Sequence, residues 1–221
     1  MTRDLKFKRR AAQSGKARSL VVFVHGYGAD GADLLGLADP LAARLRDTVF
    51  MAPDAPEQCH GNAFGFQWFP IPWLDGSSEA QAAAGLAAAA DDLNAFLDAR
   101  LADEGLGPDA LALVGFSQGA MISLHIAPRR AEIIAGVVAF SGRLLAPDRL
   151  LAEARVKPPV LLIHGDADPV VPFADMGLAG NALAAAGFET SGHVMKGTGH
   201  GIAPDGLSVA LAFLCDRLGC R

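Results

Sequence analysis

Charge and cysteine are both scarce in this chain. Only 19% of its 221 residues are charged while 51% are apolar, which excludes a disordered or fibrous composition and leaves ample material for a buried core. The three cysteines, Cys59, Cys215 and Cys220, are an odd number without framework spacing. No structural disulfide is therefore expected, and Cys215 and Cys220 read as small apolar residues. Neither histidine nor further cysteine stands beside that pair at metal-ligand spacing, so no metal site is expected there. Long apolar runs are missing too. The longest, 82–90, falls far short of the roughly 20 residues that cross a bilayer. Residues 1–18 are basic, but no apolar core follows the charges, so a secretory leader is not expected. The expectation is a soluble cytoplasmic protein with no stable membrane association.

What charge there is lies unevenly. Residues 1–18 carry a net +6, which leaves −11 on the remainder. A basic arm of this kind could bind nucleic acid or anionic lipid. However, "DLKFKRR" alternates apolar and cationic residues as an exposed edge strand does, and an acidic body argues against a nucleic-acid enzyme. The edge-strand reading is preferred.

Short apolar runs rich in β-branched residues recur at 19–25, 48–53, 110–116, 133–141 and 159–165, with a weaker one at 189–197. The first five do not alternate with polar residues, so they predict strands buried on both faces. Helical patterns lie between them, at about 31–46, 78–103, 118–130, 173–186 and 205–218. Strand–helix alternation predicts one α/β domain over 1–221, a mostly parallel sheet flanked by helices. The Ala-rich stretch 78–103 has a capping signature at Ser77 or Ser78, and Leu86, Leu93, Phe96, Leu97 and Leu101 at helical spacing. It reads as a structural helix without chemistry.

Ligands of such sheets sit beyond the carboxyl ends of the strands. The first strand ends there in "HGYGADG", the third in "GFSQG", the fifth in "HGDADPVVP", and the last runs into "GTGHGI". A serine, an acid and a histidine thus reach one sheet edge, in that chain order. A serine hydroxyl is a poor nucleophile until an oriented base takes its proton. In Gly-x-Ser-x-Gly the serine projects from a tight strand-to-helix turn, and Gly115 and Gly119 must be small where strand and helix pack closely. The helix start also directs the Gln118 N–H toward developing negative charge. Asp166 and Asp168 compete as the acid. His25 and His164 each precede a glycine at a strand end, where they are expected to bond loop backbone. His125, inside a helix, and His193 read as structural, and His60 lies in a loop with no assigned role.

These four segments resemble the carboxylesterase/phospholipase family of α/β-hydrolases, which includes the acyl-protein thioesterases. The likeness runs from about residue 19 to residue 214. It implies an α/β-hydrolase fold with Ser117 as nucleophile, Asp168 as orienting acid and His200 as general base. It also implies an oxyanion hole from the backbone N–H groups of Tyr27 and Gln118. Tyr27 is a departure, since many relatives carry leucine there, but the donor is backbone and only the pocket shape should change.

The segment 53–76 holds five of the chain's fifteen aromatic residues. It reads either as a hydrophobic wall for substrate, with Phe66, Trp68, Phe69 and Ile71 facing the site, or as a plug that closes the fold. Only 142–158 joins the fourth and fifth strands, too short for a separate cap domain. An open, lidless serine esterase acting on small to medium acyl esters, without cofactor, is the expected function. Thioesters on acylated proteins and lysophospholipids are alternative substrates. A dienelactone hydrolase-like enzyme fits less well, because those use cysteine where this chain has Ser117, and an inactive binding module would be expected to have lost one of the three residues. Oligomeric state, a homodimer included, is left open.

Overall fold

The computed structural model describes residues 2–59 and 62–220. The strands are β1 (Phe7–Arg10), β2 (Ser19–Val24), β3 (Thr48–Pro53), β4 (Glu57–Cys59), β5 (Asn62–Gln67), β6 (Leu111–Phe116), β7 (Gly136–Phe140), β8 (Val160–Gly165) and β9 (Thr190–Met195). Seven form one sheet in the order β1-β3-β2-β6-β7-β8-β9, while β4 and β5 pair as a separate hairpin. Within the large sheet β1 alone runs antiparallel, in register Phe7 with Pro53 and Arg10 with Phe50. The helices are α1 (Gly31–Leu35), α2 (Ala38–Ala42), α3 (Pro72–Asp75), α4 (Glu79–Glu104), α5 (Gln118–Ile126), α6 (Pro147–Glu153), α7 (Ala174–Ala185) and α8 (Pro204–Leu218).

The unbroken apolar strands are explained by two cores. Along β2, Leu20, Val22 and Val24 face a core shared with Leu93 and Leu97 of α4 and Ile122 of α5. Val21 and Phe23 face the other, with Leu41, Leu45 and Leu214. Both faces are covered, as a parallel sheet requires. Truncating one of these leucines to alanine should cost about 2–5 kcal/mol, whereas an exposed ion pair contributes about 0–1 kcal/mol. The cores therefore hold the sheet together, and charge decorates it.

The basic arm is spent on the body of the protein. Arg3 pairs with Asp92 (2.6 Å) and Glu57 (3.2 Å), Arg9 with Glu104 (2.8 Å), Arg18 with Asp47 (3.4 Å) and Arg10 with Asp39. Asp92 lies buried on α4, so Arg3 neutralises a charge that would otherwise be stranded. Phe7 packs edge-on against Phe96 at 5.3 Å. Within the arm β1 is an edge strand, and the four arginines turn to local partners.

Helix α4 begins with a reciprocal capping box between Ser78 and Gln81 and ends at Gly105 (φ 66°), a left-handed cap that favours glycine. The predicted 31–46 helix is broken into α1 and α2 near Gly36. The cysteine expectation needs correction: Cys215 and Cys220 form a disulfide. Gly219 (φ 78°) ends α8 and turns the chain back, so that the Cys220 N–H bonds the Cys215 carbonyl and the two Cα atoms stand 4.7 Å apart. Cysteine usage therefore no longer supports a cytoplasmic setting. Among the described residues, no helix is long and apolar enough to cross a membrane.

On α5, His125 has its pKa lowered to about 4, first by burial and then by the nearby Arg129 guanidinium. The unfolded chain takes up this proton near the ordinary value of 6.5, whereas the folded chain resists until about 4, so stability is lost as pH falls between those values. Thermal melts should show a smaller fall in Tm across this range for His125→Gln than for the parent. An equal fall would show that His125 does not carry the acid sensitivity.

Candidate active site

Ser117 stands between β6 and α5 with φ 53° and ψ −116°. A non-glycine residue in that region costs about 1–3 kcal/mol and persists only where its surroundings dictate it. Here the Ser117 N–H donates to the Phe140 carbonyl (2.9 Å), and the Ser117 carbonyl accepts from Met121 N–H (3.0 Å). A methyl on Gly119 would lie 1.8 Å from the Val24 carbonyl oxygen, and one on Gly115 2.5 Å from the Gly119 oxygen. Only glycines let α5 start this close to β2 and β6.

Three loops converge on this serine. His200 Nε2 lies 3.0 Å from Ser117 Oγ, and His200 Nδ1 lies 2.7 Å from Asp168 Oδ2. A carboxylate only accepts, so Nδ1 carries the ring proton and Nε2 is left to accept from the serine hydroxyl. Asp168 Oδ1 accepts from the N–H groups of Val170 (2.8 Å) and Val171 (3.0 Å). Burial raises the Asp168 pKa, but the hydrogen bonds from His200 and the two amides outweigh it, and the carboxyl sits below the usual range. Asp166 faces elsewhere: its Oδ1 accepts from Gly197 N–H at 2.6 Å. It braces the loop that carries His200 instead of touching the imidazole. Gly165 permits the two loops to meet, since a Cβ there would lie 2.2 Å from the Thr198 carbonyl.

The loop after β2 forms the opposite side. Gln118 N–H is the first of α5 and has no intrahelical partner. The Tyr27 N–H has no backbone acceptor among the described residues, while its neighbour Gly28 bonds the Phe66 carbonyl at 2.9 Å. The Tyr27 phenol meets the Cys59 thiol, and burial pushes both pKa values up. His25 Nδ1–H donates to the Gly26 carbonyl (2.7 Å) and its Nε2 accepts from Ala55 N–H (2.9 Å). Burial lowers its pKa, so the ring stays neutral and ties down this loop.

The aromatic segment divides between the two readings. Phe69 and Ile71 line a cleft of about 520 Å³, together with Met121, Leu86 and Leu145. Met121, one helical turn beyond Ser117, lines this cleft, whereas Ser117, Asp168 and His200 do not. Trp68 must be corrected: it is fully buried and donates its indole N–H to the His25 carbonyl at 2.9 Å, so it is a plug. Phe66 is half-buried, bridges to Ala29 and lies outside the cleft lining. The side chain of Gln118 fastens this segment, accepting from Trp68 N–H (2.8 Å) and donating to the Phe69 carbonyl (2.7 Å). The sequence reading missed the first turns of α4, whose Ala82, Ala83 and Leu86 form one cleft wall. The available signal was Gly85, where a Cβ would lie 2.5 Å from Pro70 Cδ.

Of the other histidines, His164 bonds the Val171 carbonyl (3.0 Å), and His193 pairs with Asp205 (2.7 Å) at the surface. His60 lies outside the described residues. Among the described residues, no group of three or more His, Cys, Asp or Glu side chains could hold a metal ion.

The chain and its fold have counterparts among known proteins. A probable carboxylesterase of Oryza sativa subsp. japonica is 34% identical over 207 residues, covering 89% of this chain and 77% of that protein. Acyl-protein thioesterase 1 of Saccharomyces cerevisiae is 31% identical over 221 residues, 93% of this chain and 96% of its own length. The crystal structure of esterase PE8 superposes with a TM-score of 0.92 at 46% identity, covering 97% of this chain and all of that one. Residues 8–217 match the sequence pattern described as phospholipase/carboxylesterase. The α/β-hydrolase architecture and this match together place the chain in the phospholipase/carboxylesterase family.

Proposed function

We propose that this protein is a serine carboxylester hydrolase that works through an acyl-enzyme on Ser117. The observation that carries the reading is the hydrogen-bond series Ser117 Oγ, His200, Asp168, with the serine held in a strained bend. His200 Nε2 takes the hydroxyl proton as Oγ attacks the ester carbonyl, and Asp168 stabilises the imidazolium that forms. The carbonyl oxygen becomes an oxyanion, and the backbone N–H groups of Tyr27 and Gln118 are the donors that receive it in this reading. His200 then returns the proton to the leaving alcohol. A water deprotonated by the same imidazole releases the acid and restores the serine.

The cleft volume lies within the usual range for small-molecule sites and suits short to medium acyl groups. Between β7 and β8 there is only the short helix α6, which supports a site open without a lid domain. A second reading, an acyl-protein thioesterase, is favoured by the near full-length match to the yeast protein of that name. The same nucleophile serves both, since ester and thioester differ in the leaving group.

Hydrolysis of p-nitrophenyl esters from acetate to palmitate tests the proposal. Ser117→Ala and His200→Ala should each lose roughly 10³-fold or more in kcat while melting as the parent does. Activity surviving both changes would exclude the assignment. Asp168→Asn should cost about 10⁴-fold in kcat through the wrong imidazole tautomer, and Asp166→Asn far less. The reverse order would move the acid to Asp166. Leu86→Trp, which fills the cleft from α4, should lower the octanoate-to-acetate ratio of kcat/KM by about tenfold or more. An unchanged ratio would mean that the acyl group binds elsewhere.

A further inference from the structure

The surroundings of Asp168 contain a second imidazole. His164 is the penultimate residue of β8, four positions before Asp168, and both side chains are withdrawn from solvent, at 2% and 0% exposure. Its Nε2 lies 3.0 Å from the Val171 carbonyl oxygen and 3.2 Å from Asp168 Oδ2. Oδ2 is also the oxygen that receives His200 Nδ1–H. A carbonyl and a carboxylate can only accept, so both neighbours of His164 Nε2 require that nitrogen to carry the proton. The Asp168 carboxylate has three hydrogen-bond donors, two backbone amides on Oδ1 and His200 Nδ1–H on Oδ2, while His164 Nε2–H bonds the Val171 carbonyl and faces Oδ2 at 3.2 Å.

We infer that His164 is a positioning residue for the acid–base step, its Nε2–H, bonded to the Val171 carbonyl and facing Asp168 Oδ2, holding the carboxylate in the orientation that serves His200. The inference rests on the proposed Ser117–His200–Asp168 reading. The contact to Val171 closes the acid loop back onto the end of β8, so the carboxylate is fixed both by its own amides and by the strand. The contact to Oδ2 sets a second N–H dipole 3.2 Å from a buried carboxylate oxygen. Such a dipole favours the carboxylate at the moment when His200 becomes positively charged. Phe173 closes over the ring edge-on at 6.1 Å, which limits rotation of the imidazole.

Two substitutions separate donor from volume. His164→Met removes the donor while filling the space, and His164→Gln can place an amide N–H near the position of Nε2. We expect kcat to fall about 10- to 100-fold in His164→Met with KM little changed, and His164→Gln to recover most of the loss. The low-field resonance of His200 Nδ1–H should shift in the Met variant and return in the Gln variant. A folded His164→Met with parental kcat would overturn the inference, as would equal losses in both variants. Should neither variant fold, ¹⁵N-histidine labelling of the parent decides: the Nε2–H tautomer at His164 is expected, and the Nδ1–H tautomer would overturn it. Ser117→Ala in the same assay is the control. Its retained activity would sink the triad reading, whereas an inactive Ser117→Ala beside a fully active His164→Met sinks the role of His164 alone.

Discussion

Helix α5 starts against β2 so closely that the Val24 carbonyl occupies the place a side chain would take at Gly119. The site depends on this contact. It draws the helix start down over the sheet, holds Ser117 at a positive φ, and makes Gln118 N–H the first, intrahelically unpartnered amide of α5. A strain of about 1–3 kcal/mol is small beside the burial that secures the helix. Eight of the nine α5 residues are buried, and fully burying one large apolar side chain contributes about 1.5–3 kcal/mol. A second positive φ, at Ser141, ends β7 next to the first, where its N–H bonds the Ile163 carbonyl. Strain gathers where the strands stop and the chemistry begins.

Two buried histidines do comparable work on opposite sides of the serine. His25, ending β2, ties the loop bearing Tyr27, and His164, ending β8, ties the loop bearing Asp168. Each sits before a glycine and bonds backbone, as expected from its position. Loops are the most mobile parts of a fold, and a catalytic constellation tolerates little displacement. A buried imidazole such as His25, its pKa lowered by burial, suits the task because it offers a donor and an acceptor without the cost of a buried charge. The Gln118 side chain adds a third tie, to the segment that lines the cleft.

Most of the sheet was legible because parallel strands covered on both faces read as unbroken apolar runs. The six main strands lie within a few residues of their expected places, and the weak one, β9, is the exposed edge. The hairpin β4–β5 was not legible. Its strands earn their place by bonding the 26–29 loop through Phe66, a partner distant in sequence, and not by any alternation of their own. The disulfide was missed for a similar reason. Spacing alone does not reveal that Gly219 reverses the chain and brings Cys220 over Cys215.

By itself the sequence determined the strands, the bend at Ser117 and the chain order of serine, acid and histidine, because these follow from local side-chain size and hydrophobic pattern. Which aspartate faces His200 was decided by tertiary structure: residues 166 and 168 share one turn, and only the meeting of that turn with the 196–200 loop sends one carboxylate to the imidazole and the other to Gly197. The same holds for the cleft. Trp68 and Phe69 are adjacent and both apolar, yet one is a plug and the other a wall, because successive side chains of an extended segment point to opposite sides and only packing against α4 and α5 decides which side is open.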